Sequence, residues 1–202
     1  LKPTVIMLGY GAVESQQGPD ELHAFVQQYE KLRSDLLANN VRLIHVSPTR
    51  LEAETFPKLS EGVAEHVAAA NKNLEIYSEA VREIAKKSGE LFIDLQAAQR
   101  SSDKPVNWTE NGIHLSAYGY KATAAVIADA LGGKFSQSDH EQLRELIHRK
   151  NELFFHRWRP QNFTYLLGFR KHEQGQNAVE IAEFDPLIEA LETKIHNLKT
   201  KQ

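Results

Sequence analysis

Asn107-Trp108-Thr109-Glu110-Asn111-Gly112-Ile113-His114-Leu115-Ser116-Ala117-Tyr118-Gly119-Tyr120 is a polar, glycine-broken stretch that runs straight into an alanine-rich amphipathic segment. An imidazole titrates near neutrality, so a loop that fixes the ring of His114 and leaves one nitrogen free makes a proton shuttle at physiological pH. Asn111 stands three residues earlier, and Gly112 between them lets the backbone bend so that the Asn111 side chain reaches the ring and sets its tautomer. That is the base-and-orienter part of a nucleophile, base and orienter site. The same residues also admit a plainer reading, an Asn-Gly turn followed by a helix capped by Ser116.

Working outward, the chain alternates strand and helix. Thr4 to Leu8 is a short apolar run closed by Gly9 and Gly11, which reads as a buried parallel strand. The loop from Tyr10 to Pro19 leaves its carboxyl end, the edge where open α/β sheets bind ligands. Ser15 lies in that loop without a neighbouring base or a tight turn, so it does not read as an activated nucleophile. From Asp20, the expected N-cap, Leu22, Phe25, Val26, Tyr29, Leu32, Leu36 and Leu37 mark one helical stripe. Val41 to Val46 is the next strand, with His45 read as a packed histidine rather than a ligand. Leu51 to Gly62 reads as an irregular rim containing Pro57. A helix over Val63 to Lys87 follows, ended by Gly89. Leu91 to Leu95 is the last strand, and Gln96 to Ser101 leads to the histidine loop. Ala122, Ala125, Val126, Ile127 and Leu131 form the packing side of the helix beyond it, stopped by Gly132-Gly133. This order is that of a parallel sheet covered on both faces.

Asn111-Gly112-Ile113-His114-Leu115, followed by Gly119-Tyr120 and a helix, resembles the last block of the SGNH (GDSL-type) hydrolases, written Asp-x-x-His, then Leu, then Gly-Tyr. A second stretch, Thr4 to Ser15, resembles that family's strand ending in Gly-x-Asn-Asp or Gly-x-Asn-Glu. The resemblance covers roughly residues 3 to 132. It implies a flavodoxin-like three-layer α/β fold with a parallel sheet, a serine nucleophile that cleaves carboxylic esters, and no metal or dissociable cofactor. It also implies His114 as general base, Asn111 as its orienter, and the Gly11-Ala12-Val13 turn at the oxyanion and substrate side.

Two departures accompany the match. Asn111 stands where the family has aspartate, and Val13 where it has the oxyanion-hole asparagine. Asparagine holds the ring without stabilising an imidazolium by charge, a change that costs about four orders of magnitude in serine protease triads. Valine donates no side-chain hydrogen bond, and one lost oxyanion donor costs about 10²- to 10³-fold. The family's Gly-Asp-Ser block does not occur among the 202 residues, so the expectation is an SGNH-type domain truncated at its N-terminus.

Composition bounds the rest. A hydrophobic fraction of 41% and a charged fraction of 25% are those of a globular protein. The net charge of −3 argues against a nucleic-acid partner, whose footprint is strongly basic. No apolar run approaches the ~20 residues of a membrane span. The absence of cysteine excludes disulfides and thiolate metal sites. Exported members are common in the resembled family, which leaves a periplasmic or extracellular address open for a soluble protein.

Beyond Gly133 the character changes. Ser138 to Phe155 reads as an amphipathic helix capped by Ser138 or Asp139, and Pro186 to Lys199 as a closing charged helix. Between them, Phe154 to Glu173 concentrates aromatics and arginines. Such a run stacks on sugar rings, holds an anionic substrate or binds a partner; the simpler expectation is that it docks this extension onto the α/β core. The division expected is 1–133, an SGNH-like α/β domain, and 134–202, a helical and aromatic-rich extension that could pair two copies. The function expected is ester hydrolysis by the intact parent, on substrates such as acylated carbohydrates, with the 202 residues alone silent. The competing expectation is a catalytically inactive carbohydrate- or protein-binding module.

Overall fold

Apolar runs at three places in the chain become three parallel strands, β1 (Val5–Leu8), β2 (Arg42–Val46) and β3 (Leu91–Ile93), in the order β1-β2-β3. Ile6 pairs with Leu43 and Leu8 with His45, while His45 and Val46 pair with Phe92 and Ile93. Alternation along each strand sends its side chains to two different layers. On one face Leu8, Leu43, Tyr29, Val81 and Ile84 form a core with Ile6, Phe25 and Phe92, which brings in α1 (Leu22–Leu37) and α2 (Val63–Ser88). On the other face Ile44, Ile93 and Leu95 pack with Val5, Val46, Val126 and Ile127, the last two from α4 (Ala117–Ala130). Helices thus cover both faces of the sheet, the condition under which a parallel sheet is stable. The computed structural model describes residues 3–57, 62–102, 106–133, 141–159, 162–174 and 178–199. The chain divides into two compact units, Leu1–Phe135 and Ser136–Gln202.

Local chemistry moves several boundaries from where periodicity puts them. β3 stops at Ile93 because Asp94 caps α3 (Leu95–Arg100), its carboxylate accepting from the Ala97 amide at 2.9 Å. Leu95 therefore opens a helix, and most of the stretch read as a connector is helical. Asp20 is not the cap of α1. It lies in a 3-10 turn, Pro19–Glu21, and α1 starts at Leu22 without a side-chain cap bond. Two terminators behave as their chemistry requires: Gly89 closes α2 at φ 66°, and the Ser116 hydroxyl accepts from the Gly119 amide at 3.1 Å to open α4.

His45 is packed, being 0% exposed, and it links three elements. Glu90 accepts from Arg33 Nε at 2.7 Å and Arg33 Nη2 at 2.8 Å, and lies 2.7 Å from His45 Nε2. Burial pushes the Glu90 carboxyl up, but the hydrogen bonds from Arg33 and His45 outweigh it and hold the group below its ordinary range. An ionised Glu90 makes Nε2 of His45 the protonated nitrogen, so Nδ1 accepts from the Tyr29 hydroxyl 2.6 Å away. Burial, then the Glu90 charge, raises the Tyr29 phenol well above its usual value.

In the second unit α5 (Glu141–Trp158) packs on α8 (Phe184–Lys199). Lys150–Glu192 at 2.9 Å and Arg157–Asp185 at 2.8 Å run in opposite chain directions, which makes the pair antiparallel. Ile188 and Ile195 of α8, seven residues apart, are buried in this unit. α8 begins at Phe184 rather than Pro186, since a proline in the first turn needs no amide hydrogen. Ser138 and Asp139, the expected caps of α5, lie outside the described residues. Short helical pieces follow α5, α6 (Phe163–Leu166) and α7 (Ala178–Ala182). Phe163 and Phe169 are 69% and 82% exposed.

Candidate active site

The stretch Trp108 to Ser116 folds as a small closed loop. Thr109 and Leu115 form an antiparallel bridge, the Glu110 amide donates to the His114 carbonyl at 2.9 Å, and the Ser116 amide donates to the Trp108 carbonyl at 2.8 Å. At the loop's tip Asn111 Oδ1 accepts from the backbone amides of His114 at 2.9 Å and Ile113 at 3.3 Å. Asn111 Nδ2 lies 2.9 Å and Oδ1 3.2 Å from His114 Nδ1. The expected pair therefore meets, with Nδ1 as the nitrogen engaged. His114 is exposed, and no hydrogen bond to its Nε2 is found among the described residues.

Asparagine makes this grip ambivalent. An Nδ1–H on the ring donates to Oδ1 and leaves the Nε2 lone pair free, whereas Nδ2 donating to Nδ1 leaves the proton on Nε2. Only the first tautomer abstracts a proton through Nε2. A carboxylate in this place would accept and never donate, so it would select that tautomer.

Two glycines shape the loop. Gly112 has φ 87°, and a β-carbon there would lie 2.0 Å from Phe56 Cδ2, so both the backbone conformation and the Phe56 ring require glycine. At Gly119, in the first turn of α4, a β-carbon would lie 1.9 Å from the Trp108 carbonyl oxygen. The glycine of the Gly119-Tyr120 pair is thus where the helix closes on the base of the loop.

What holds the loop was not visible in the motif. Glu52, in the connection that leaves the carboxyl end of β2, accepts from the Trp108 amide at 3.0 Å, the Thr109 amide at 2.7 Å, the Thr109 hydroxyl at 2.6 Å and Gln99 Nε2 at 3.1 Å. Its own amide donates to the Gly112 carbonyl at 3.1 Å. With the Thr109 hydrogen committed to Glu52, Thr55 is the donor in the 2.7 Å contact between the two threonine hydroxyls. Burial raises the Glu52 carboxyl, but the bonds from Thr109, Trp108 and Gln99 outweigh it, and the group is held below its ordinary range. The histidine loop is thereby fastened to the carboxyl edge of the sheet.

The turn after β1 lies at that same edge. Gly11 adopts φ 112°, with the Pro48 ring of the β2 connection 3.9 Å from where a β-carbon would be. Its amide already donates to Glu14 Oε2 at 3.0 Å, so among Gly11, Ala12 and Val13 the amides not engaged in this way are those of Ala12 and Val13. Val13 is 70% exposed. Ser15 is buried at 3% exposure with its hydroxyl donating to the Ala12 carbonyl at 3.2 Å, the position of a structural serine. No hydrogen bond joins this turn to the His114 loop among the described residues. A cavity of ≈ 440 Å³ is lined by Glu52 together with Arg50, Asn71, Gln99 and Arg100, and His114 is not among its lining residues. Among the described residues no group of three or more histidine, aspartate or glutamate side chains is arranged to hold a metal ion, and no helix is long and apolar enough to cross a membrane.

No family model matches the chain. It is 26% identical over 149 residues to the isoamyl acetate-hydrolyzing esterase of Saccharomyces cerevisiae, a match spanning 72% of this chain and 54% of that enzyme. The chain thus spans about half the length of this curated relative. Among solved structures, a catalytic mutant of Axe2, an acetylxylan esterase from Geobacillus stearothermophilus, aligns with a TM-score of 0.52 at 17% identity, over 68% of this chain and 63% of its own. A Bacteroides fragilis protein described as an acylhydrolase aligns with a TM-score of 0.50 at 17% identity, over 65% of this chain and 62% of its own. The α/β unit shares the fold of these solved structures.

Proposed function

We propose that this chain carries the base and orienter of a serine-type ester hydrolase of the SGNH kind, acting on acetyl or related short acyl esters of alcohols or sugars. The observation that carries the reading is the Asn111–His114 contact on a loop tied to the carboxyl edge of a parallel sheet. The likeness to an esterase of isoamyl acetate supports the ester class, and the fold shared with an acetylxylan esterase supports the extension to acylated carbohydrate.

His114 takes the proton of an attacking serine hydroxyl through Nε2, and Asn111 Oδ1 holds Nδ1–H. The resulting imidazolium returns the proton to the leaving alkoxide, and in the second half-reaction the same nitrogen activates water. The oxyanion takes donors from the Ala12 and Val13 amides, Val13 offering none from its side chain. Ser15 is not assigned as that serine, being buried with its hydroxyl engaged, and no Gly-Asp-Ser run occurs among the 202 residues.

A fluorophosphonate probe tests this assignment, because it labels only activated serines. The 202 residues alone stay unlabelled and silent on p-nitrophenyl acetate, and the full natural protein is labelled at a serine outside them. Labelling of any serine within the 202 residues, lost on His114→Ala, would overturn the assignment of the nucleophile. A full protein that neither labels nor turns over, yet retains acetylated oligosaccharide, would instead favour the binding-module reading.

A further inference from the structure

We propose that Glu52 is the positioning residue of this site: its carboxylate sets the His114 loop, and with it the ring, in the geometry needed for proton transfer. The proposal deepens the ester-hydrolase reading and rests on it.

The loop has a base, Trp108 and Thr109, and a tip, Asn111 to His114. Glu52 is bonded to both. Each carboxylate oxygen takes two donors, Oε1 from the Trp108 amide and Gln99 Nε2, and Oε2 from the Thr109 amide and hydroxyl. From the other side of the same residue, the backbone amide holds the Gly112 carbonyl at the tip. Trp108 and Thr109 are buried at 3% and 2% exposure, and the Glu52 carboxylate is the group that satisfies their amides. Asn111 and His114 are bonded chiefly to each other within the tip. Orientation of the ring relative to the sheet therefore comes through the loop's backbone, and Glu52 is its charged anchor. Two parallel amides, a hydroxyl and a side-chain amide converging on one group require an acceptor with two oxygens and no hydrogen, which an ionised carboxylate provides and a glutamine provides only in part. Misplacement of a base by about an ångström is enough to cost ~10²-fold in turnover.

The test uses Glu52→Gln and Glu52→Ala in the full natural protein, with three readouts. Turnover of p-nitrophenyl acetate gives kcat and KM; amide hydrogen exchange reports residues 108–116 and the strands separately; ring signals of His114 report its environment. For Glu52→Ala the expected result is a fall in kcat of about 10²-fold or more with KM changed less than about threefold. Exchange should rise over 108–116 while β1, β2 and β3 stay protected. Glu52→Gln should recover part of kcat, since its oxygen still accepts from Thr109. Should Glu52→Ala lose the protection of the strands as well, Glu52→Gln decides the matter by the same kcat and loop-exchange criteria. An unchanged kcat in a variant whose loop exchanges faster would overturn the proposal, as would unchanged loop exchange in both variants. Failure of the ester-hydrolase reading is separately visible: wild-type protein would then show no turnover sensitive to His114→Ala, whereas loop exchange and His114 ring signals would still respond to Glu52→Ala.

Discussion

Replacing Asn111 by aspartate is the smallest change that interrogates the histidine loop. The oxygen that accepts from the His114 amide at 2.9 Å is retained, and the amide nitrogen 2.9 Å from His114 Nδ1 becomes a second carboxylate oxygen. A donor is thereby exchanged for an acceptor, which removes the competing tautomer with its proton on Nε2. The change also sets a negative charge beside the ring. Two unit charges about 4 Å apart interact by ~1 kcal/mol in water and ~4 kcal/mol at an effective dielectric constant of about 20. Because His114 is exposed, the lower figure applies, about 1 kcal/mol in favour of the imidazolium. Nitrogen-resolved NMR of the imidazole reads the tautomer. The neutral ring of the variant should hold its proton on Nδ1, and kcat of the full protein should rise at least severalfold, with the ~10⁴-fold effect seen in serine protease triads as the ceiling. An unchanged ring tautomer in Asn111→Asp would refute the orienting role assigned to residue 111.

Other perturbations test neighbouring parts of the account. Gly112→Ala should loosen the loop by about 2–4 kcal/mol, combining left-handed backbone strain with overpacking against Phe56; amide exchange over 108–116 measures it, and unchanged exchange would contradict the close contact. Gly119→Ala drives a methyl into the Trp108 carbonyl, so it should cost at least as much at the junction of loop and α4, read as a lower urea midpoint. The folded Glu90 and Glu52 carboxyls sit below their ordinary range. Their contribution to stability is therefore complete above the unfolded glutamate value of about 4.3 and is lost as pH falls through the lower folded values. Urea midpoints should hold from pH 7 to about 5 and then fall on acidification, less steeply in Glu90→Gln; an equal slope would remove Glu90 from the explanation.

How far the sequence reached depended on how local each signal was. β2 was readable as a largely buried apolar run, β1 as an apolar run although only Leu8 of it is buried and Met7 is exposed, and the end of α2 because Gly89 adopts the left-handed conformation that glycine favours. The Asn111–His114 contact was readable because its two side chains are three residues apart. α3 was missed because six residues are too few to show a helical period, and its start is set by a cap, Asp94, that reads equally well as the end of a strand. Glu52 was missed for a different reason. It sits in a segment without periodicity, and its partners Trp108 and Thr109 lie 56 and 57 residues away, so only the folded chain brings them together. The Tyr29, His45 and Glu90 network is hidden in the same way, its members coming from α1, β2 and the link between α2 and β3. A histidine within an apolar strand was legible as packed, but not as the centre of a charged chain ending on Arg33.

The central claim is that the imidazole at position 114 moves the proton in ester cleavage. Steady-state hydrolysis of p-nitrophenyl acetate by the full natural protein, compared with its His114→Ala variant, tests it directly. The account predicts a loss in kcat of about 10²-fold or more with little change in KM, the loss that remains where the orienting carboxylate is already absent. A variant that keeps kcat within tenfold of wild type would contradict it.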